Sequence, residues 1–400
     1  MQQRILLLGG SHFQIPSIKY AKKAGYYTIT CDYLPDNPGH KFADEYYDVS
    51  TTDKEEVLNL AKELNIDGIV AYASDPSAPT AAYVAEKLNL VGNPYESVKL
   101  LTEKDKYRNF LYENGFNAPK SESYFNFEKA KLEIDDFELP VMIKPVDSSG
   151  SKGVNKLDEY NIDLLKDFFN YALEYSRKKK VIIEEFIDKR DYQIDGDVFV
   201  NNGEIVFAGY GNQHVDNDCN PYVPMGISFP LFYSKKIEKK ITEQLNEIFD
   251  LLNIKVGAFN IEVMIDKADN IYIMEIGPRN GGNLIPEVIK YAADFDMIGS
   301  TIDIAMGNEI DSYKEKEFNK FMSSYIIHSQ EDGKFKQLEI SELIRNNIVS
   351  KNILFDEEDE ITQFNGSNDT VGTAILEFNS LDEMITKMDK MNKLIRINLY

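Results

Sequence analysis

The chain has 400 residues, 43% of them hydrophobic, and a formal net charge of -23. That apolar content exceeds what one compact core usually holds, so two or three domains are expected. A surface this acidic repels phosphate backbones and anionic lipid, which disfavours nucleic acid and membrane partners and means that an anionic ligand needs a local basic pocket. The two distant cysteines, Cys31 and Cys219, give neither a disulfide framework nor zinc-ligand spacing, and read as reduced thiols of a cytoplasmic protein. The apolar run from Ile5 to Leu8 is too short for a secretory signal, and no run of about 18 apolar residues reads as a membrane span.

The first hundred residues alternate strand and helix. Ile5 to Leu8 has the apolar content of a buried parallel strand. Pro16 can open the next helix and Gly25 close it. Tyr27 to Asp32 reads as a second strand. Glu55 to Leu64 reads as a helix with Val57, Leu58, Ala61 and Leu64 on one face. Ile69 to Ala73 is a further strand ending at Ser74-Asp75-Pro76, and a helix carrying Ala81, Ala82, Val84, Ala85 and Leu88 follows. This pattern predicts a doubly wound α/β domain over residues 1–102. Ser74 and Asp75 lie at a strand's C-terminal end, where they either cap that helix or contact a ligand.

A helix from Lys104 to Asn114, closed by Gly115, opens a second domain expected over residues 103–308. Leu139 to Pro145 reads as a strand and Asp147 to Gly153 as a polar Gly/Ser loop. Val181 to Ile187 is another strand. Gln193 to Val200 and Glu204 to Tyr210 flank Asn201-Asn202-Gly203, a hairpin signal. Ile237 to Leu252 is an amphipathic helix with Ile237, Ile241, Leu245, Ile248 and Leu252 on one stripe. Asn260 to Ile276 reads as a second hairpin. Tyr325 to His328 and Thr373 to Phe378 are strands of a small α+β unit over residues 309–400.

Two segments carry chemistry. With Lys267 to Asn270 as the turn of the second hairpin, Asp266 pairs with Ile271 and Glu262 falls opposite Glu275. Like charges facing each other across a hairpin destabilise it unless a cation compensates, and magnesium prefers carboxylate oxygens. In the other segment, Lys144 sits near the end of an apolar strand, where burial is costly without an anionic partner. The loop after it, with Ser149, Gly150, Ser151, Lys152 and Gly153, can bring backbone N–H groups close to phosphate oxygens. It is not a P-loop.

In order, these features are Lys104 before a helix ending at Gly115, Lys144 with its Ser/Gly loop, Glu184-Glu185-Phe186-Ile187, Glu262, and Glu275-Ile276-Gly277-Pro278-Arg279-Asn280-Gly281-Gly282. Together they resemble the ATP-grasp family over about residues 1–310. The N-terminal unit is similar to the one that precedes ATP-grasp domains in biotin carboxylase and carbamoyl phosphate synthase. The resemblance implies an enzyme that uses ATP and Mg2+ (or Mn2+), with a mobile lid over about residues 120–185. It would make an acyl phosphate from a carboxylate and pass the acyl group to an amine or thiol. Lys104 and Lys144 would bind the α- and β-phosphates, and the loop Asp147 to Gly153 would close over them. Backbone groups of Glu185 and Ile187, beside Phe186, would read adenine, with Glu184 near. Asp191 stands where the family usually has a ribose-binding glutamate. Glu262 and Glu275 would hold the metal, and Arg279 would steady the transferred phosphoryl group. Many members have an asparagine two positions after the second metal glutamate. Here that position is Gly277, and Asn280 or Asn283 are candidates to replace it.

Other signals are weaker. Gly9-Gly10-Ser11 lacks the spacing of a dinucleotide fingerprint, since His12 and Gln14 interrupt it. His214-Val215-Asp216-Asn217-Asp218 reads as a solvated substrate-side loop, with His214 a candidate substrate contact, or else as a second metal site. Lys106 and Arg108 are alternatives to Lys104. The expected partners are small-molecule carboxylate and amine substrates and a second copy of the chain. A purine-pathway enzyme resembling phosphoribosylglycinamide synthetase, a carbamoyl-phosphate-synthase-like enzyme and a non-catalytic ATP-binding regulator are the competing readings.

Overall fold

A computed structural model describes residues 2–310 and 316–400. Met1 and residues 311–315, the latter within the expected C-terminal unit, lie outside the described residues. The N-terminal strands β1 (Arg4–Leu8), β2 (Tyr27–Cys31), β3 (Glu45–Tyr47) and β4 (Gly68–Val70) form a parallel sheet in the order β3-β2-β1-β4. Helices α1 (Ile15–Lys23) and α2 (Lys54–Leu64) make crossovers, and α3 (Ala78–Leu88) follows β4. The predicted stripe on α2 is buried against Leu6, Leu8 and Ile29, and Asp53 caps the helix by accepting from the N–H groups of Glu55 and Glu56. Strand β4 is shorter than Ile69 to Ala73. Ala73 takes a left-handed φ of 50° and turns the chain away, so Ser74 and Asp75 leave the sheet edge toward the rest of the molecule.

Helix α4 (Tyr95–Leu101), which the sequence pattern left out, and α5 (Lys104–Glu113) follow. A four-stranded antiparallel sheet comes next. Its strands are β5 (Ser121–Tyr124), β6 (Val141–Pro145), β7 (Asn155–Leu157) and β8 (Val181–Glu185), in the order β5-β8-β6-β7. It is covered by α6 (Phe127–Glu133) and α7 (Ile162–Tyr175) and has its own core around Val141, Ile143, Phe169 and Ile183. A separate core is what lets such a subdomain move as a unit.

The largest sheet has eight strands. Five come from the middle of the chain: β9 (Ile194–Asn201), β10 (Glu204–Asp216), β11 (Asn220–Phe229), β12 (Gly257–Ile265) and β13 (Ile271–Gly277). Helix α8 (Lys235–Leu251) buries Ile241, Leu245 and Ile248 against this sheet's core, and α9 (Ile285–Ala293) and α10 (Met297–Ala305) follow. The C-terminal strands are β14 (Phe321–Ile327), β15 (Gly333–Ile340), β16 (Ile348–Ile353), β17 (Glu360–Ile361), β18 (Gly372–Phe378) and β19 (Ile395–Leu399). The order β13-β12-β9-β10-β11-β14-β18-β16 carries the sheet without a break past residue 308, while β17-β15-β19 form a small sheet apart. No helix among the described residues is long and apolar enough to cross a membrane.

Candidate active site

The predicted facing of Glu262 and Glu275 is present, reached by an unexpected route. Near the turn Ile265, not Asp266, pairs with Ile271, one residue away from the expected register. A β-bulge then inserts Met274 between the pairs Val263–Ile273 and Glu262–Glu275 and restores the facing of the two acids. Glu262 also pairs with Asp195 of β9, so Asp195, Glu262 and Glu275 form one row across three strands. A parallel row holds Asp197, Asn260 and Gly277. Burial, then the charges of Glu275 and Asp195, push the Glu262 carboxyl well above its ordinary range. A hard divalent cation would remove that penalty, and the oxygen-only donor set suits one. The residues present therefore fit the expected metal.

Cations surround the row. Lys104, the first residue of α5, places its Nζ 3.1 Å from Glu275 Oε2 and donates to Ser148 O at 3.1 Å. Burial opposes its charge, but Glu275, Asp75 and Glu262 outweigh it and raise its pKa. Lys144 on β6 pairs with Glu184 on β8, whose other oxygen accepts from Arg108 Nε at 3.0 Å. Arg108 also donates to Met274 O at 2.7 Å, which holds the bulge residue. The Glu184 carboxylate is almost fully buried, yet Arg108 and Lys144 overcome that burial and hold it down at about 2. Glu184 is thus a counter-ion that positions Lys144. Arg108 is not a substitute for Lys104 but its neighbour in the buried network, while Lys106 is a half-exposed partner of Glu103.

The Gly/Ser loop follows β6 as predicted. Gly150, Ser151 and Gly153 have φ of 68°, 57° and 74°, and a Cβ on Gly153 would come within 3.0 Å of the Pro145 ring. Ser151 Oγ donates to Tyr222 O of β11 at 2.6 Å, tying the loop to the large sheet. Ser149 and Lys152 lie in the same loop, open to solvent on one side. Strand β8 stops at Glu185, earlier than the expected Ile187. Glu185 N–H donates to Lys120 O, and Phe186 N–H to Pro140 O, under the ammonium of Lys156 at 4.3 Å from the ring. Ile187 begins the link to β9. Asp191, with φ 55°, is 3.3 Å from Arg190 Nε.

Arg279 and Asp75 meet across the N-terminal domain boundary. Arg279 Nε and a terminal guanidinium nitrogen donate to the two Asp75 oxygens at 2.8 and 2.7 Å. The side chains of Ser74 and Asp75 therefore do not cap the next helix. Ser74 bonds Ser77 at 2.7 Å, and Asp75 is committed to Arg279. A Cβ at Gly277 would lie 2.8 Å from Asp75 Oδ1 and 3.2 Å from Arg279 Cζ. Asp75 and Arg279 thus occupy the space that a side chain at position 277 would take. Asn280 is fully buried, with both amide atoms lacking a hydrogen-bond partner, and Asn283 sits at φ 53° just before α9. A cavity of about 380 Å³ is lined by Asp75, Lys104, Ser148, Glu275 and Gly277 among others.

His214 is not brought to this site. Of the segment expected to be a solvated loop, His214 to Asp216 form the end of β10, where His214 is buried and bonds Ser228 Oγ at 2.9 Å and Asp389 at 3.2 Å, while Asn217 and Asp218 form an exposed turn. Sequence reasoning also missed Asp195, Asp197, Asn260 and Gln193, whose amide donates to Glu262 at 2.9 Å. The signal was there: Asp195 and Asp197 alternate on one face of an otherwise apolar strand. Burial raises Asp197 from 3.8 to about 7 despite two hydrogen bonds from Gly281 N–H, and burial raises Glu287 from 4.5 to about 7.

A family model described as ATP-grasp domain matches residues 137–287. The carbamoyl phosphate synthase large chain of Thermoanaerobacter sp. (strain X514) is 25% identical over 262 residues, which is 64% of this chain and 23% of that one. The chain thus spans about a quarter of the length of the carbamoyl phosphate synthase large chains it matches. Two solved structures align over the whole chain. One is an L-amino acid ligase from Bacillus licheniformis, with a TM-score of 0.81, 18% identity and 99% of that chain covered. The other is phosphoribosylglycinamide synthetase from Anaerococcus prevotii, with a TM-score of 0.77, 24% identity and 100% of that chain covered.

Proposed function

We propose, from the premise that the chain belongs to the ATP-grasp superfamily, that it is an ATP-dependent ligase which activates a carboxylate as an acyl phosphate and joins it to an amine. The observation that carries this reading is the carboxylate row Asp195–Glu262–Glu275 with Lys104 on its end. Such a row is unfavourable alone and becomes favourable around a dication and a polyphosphate. Glu262 and Glu275 would hold magnesium, which neutralises phosphate charge when bound.

The chain's own groups do the rest. Lys104 and Lys144 hold the phosphates, and the loop Asp147 to Gly153 covers them. The link Glu185 to Ile187 reads adenine through its backbone, with Asp191 at the ribose. A carboxylate oxygen attacks the γ-phosphorus and ADP leaves. Arg279, already oriented by Asp75, offsets the charge on the moving group. The amine nitrogen then attacks the acyl carbon, and phosphate leaves with the carboxylate's oxygen.

A ribosyl phosphate acceptor would want a basic cluster in the N-terminal domain. Its candidates are Lys19, Lys22 and Lys23: Lys22 is paired with Asp44 at 2.8 Å, Lys19 lies over Phe42 at 4.2 Å and Lys23 is exposed, so the three do not converge on one open basic pocket. A regulator that had lost catalysis would have lost a glutamate or lysine of this set, and all are in place. Thermal unfolding with saturating MgATP tests nucleotide binding. The melting temperature should rise by mass action, with a smaller rise for MgADP, and an unchanged value with MgATP overturns the reading.

A further inference from the structure

A second cluster lies on the large sheet, away from the carboxylate row. Asp216 ends β10, Cys219 sits in the turn before β11, and His328 follows β14. One ligand atom from each falls within 4.8 Å of the other two. His328 Nε2 is 3.0 Å from Asp216 Oδ2, while its Nδ1 is 2.7 Å from the backbone carbonyl of Ile326. A carbonyl only accepts, so Nδ1 carries a proton and donates it. Nε2 then faces a carboxylate oxygen, and two lone pairs at that distance need a proton or a cation between them.

The surroundings are those of a ligand set. The spare nitrogen of a metal-binding histidine usually donates to a carbonyl, which fixes the tautomer. The spare oxygen of Asp216, Oδ1, accepts from Asp218 N–H at 2.9 Å and Asn392 Nδ2 at 2.9 Å, and Gln330 reaches Oδ2 at 3.2 Å. The His328 ring is stacked on Phe364 at 4.3 Å. Ligands of a tetrahedral ion stand roughly 3.3 Å apart given usual bond lengths, close to the nitrogen–oxygen separation seen. The thiol of Cys219 supplies the soft third donor.

We propose that Asp216, Cys219 and His328 bind a transition-metal dication, with zinc the best match to one thiolate, one imidazole and one carboxylate. The ion clamps the β10–β11 turn to the end of β14. Through Asn392 it also fastens the segment after helix Leu381–Met388. The turn leads into Tyr222, whose carbonyl receives Ser151 of the Gly/Ser loop, so the clamp supports the surface on which that loop rests. This site is independent of the ligase reading.

The test uses tag-free full-length chain stripped with a chelator and titrated with cobalt, then zinc. One equivalent of cobalt should produce a thiolate-to-metal charge-transfer band, and zinc should displace it and raise the melting temperature. Cys219→Ser should lose the band, and Asn392→Ala should weaken zinc by about tenfold or more. Glu275→Gln should keep the band, which separates this site from the carboxylate row. A folded wild-type chain that takes up cobalt with no charge-transfer band, or shows the band unchanged in C219S, overturns the proposal. The His328–Asp216 contact is then held by a proton alone.

Discussion

Arg279 and Asp75 form a two-pronged ion pair, at 2.8 and 2.7 Å, between the chain just after β4 and the turn after β13. Both are mostly buried, and a planar guanidinium held at two points has one orientation. The pair ties the chain just after β4 to the turn after β13. The Asp75 partner also lines the cavity shared with Glu275 and Lys104.

Arg279→Met should cut ADP formation roughly a thousandfold while MgATP affinity changes only a few-fold, because a cation used in the transition state is lost. Asp75→Asn/Arg279→Met removes the stranded carboxylate and should show the same split. Affinity measured by calorimetry and turnover by ADP release decide it. Equal losses in both would make Arg279 a ground-state binding group.

Gly277→Asn, which introduces the residue that the resemblance to ATP-grasp enzymes leads one to expect here, should harm this chain. The new Cβ would meet Asp75 Oδ1 at 2.8 Å, and overpacking of this kind costs about 1–3 kcal/mol. Adding Asp75→Gly removes the clash but strands Arg279, so the double variant should lose less stability in urea unfolding than the sum of the two single losses. A stable single variant with full activity would show that Asp75 does not occupy that space.

Glu275→Gln should abolish turnover in a folded chain and relieve repulsion in the carboxylate row. The metal-free wild type should also lose stability as pH rises. Asp197 and Glu287 move by burial from 3.8 and 4.5 to about 7, so between about pH 4 and pH 7 the folded state binds more protons than the unfolded state. Their contribution is complete below the unfolded values and gone above the folded ones, with a slope of at most about 1.4 kcal/mol per pH unit for each group. Urea unfolding at pH 5 and 8 reads it, and D197N should flatten it. Magnesium competes with the proton on Glu262, so its affinity should rise with pH.

Arg108→Met should destabilise by about 1.5–3 kcal/mol, since it removes one of the two cations on the buried Glu184 carboxylate and leaves Lys144 as the other. Arg108→Met/Glu184→Gln should recover most of that loss. Denaturant midpoints compare the three chains.

The sequence pattern carried the fold well where burial has a period. The stripe on α8 and the apolar run of β1 are examples. It carried the Glu262–Glu275 pair although the turn register was one residue off, because the bulge at Met274 corrects it. Long-range pairings were not legible. Nothing local says that Arg108 meets Glu184 or that Asp75 fills the space at Gly277. The polar run at His214 to Asp218 suggested a solvated loop because its residues are hydrophilic, whereas each buried polar group there has found a partner.

Trapping the activated acyl group tests the central claim most directly. A panel of amino acids and other carboxylates is incubated with MgATP and hydroxylamine, which takes the place of the amine, and ADP and hydroxamate are both measured. The account predicts equal amounts of the two with at least one carboxylate, and neither product with Glu275→Gln. ADP without hydroxamate, or no ADP from any member of a broad panel while MgATP still binds, would contradict it.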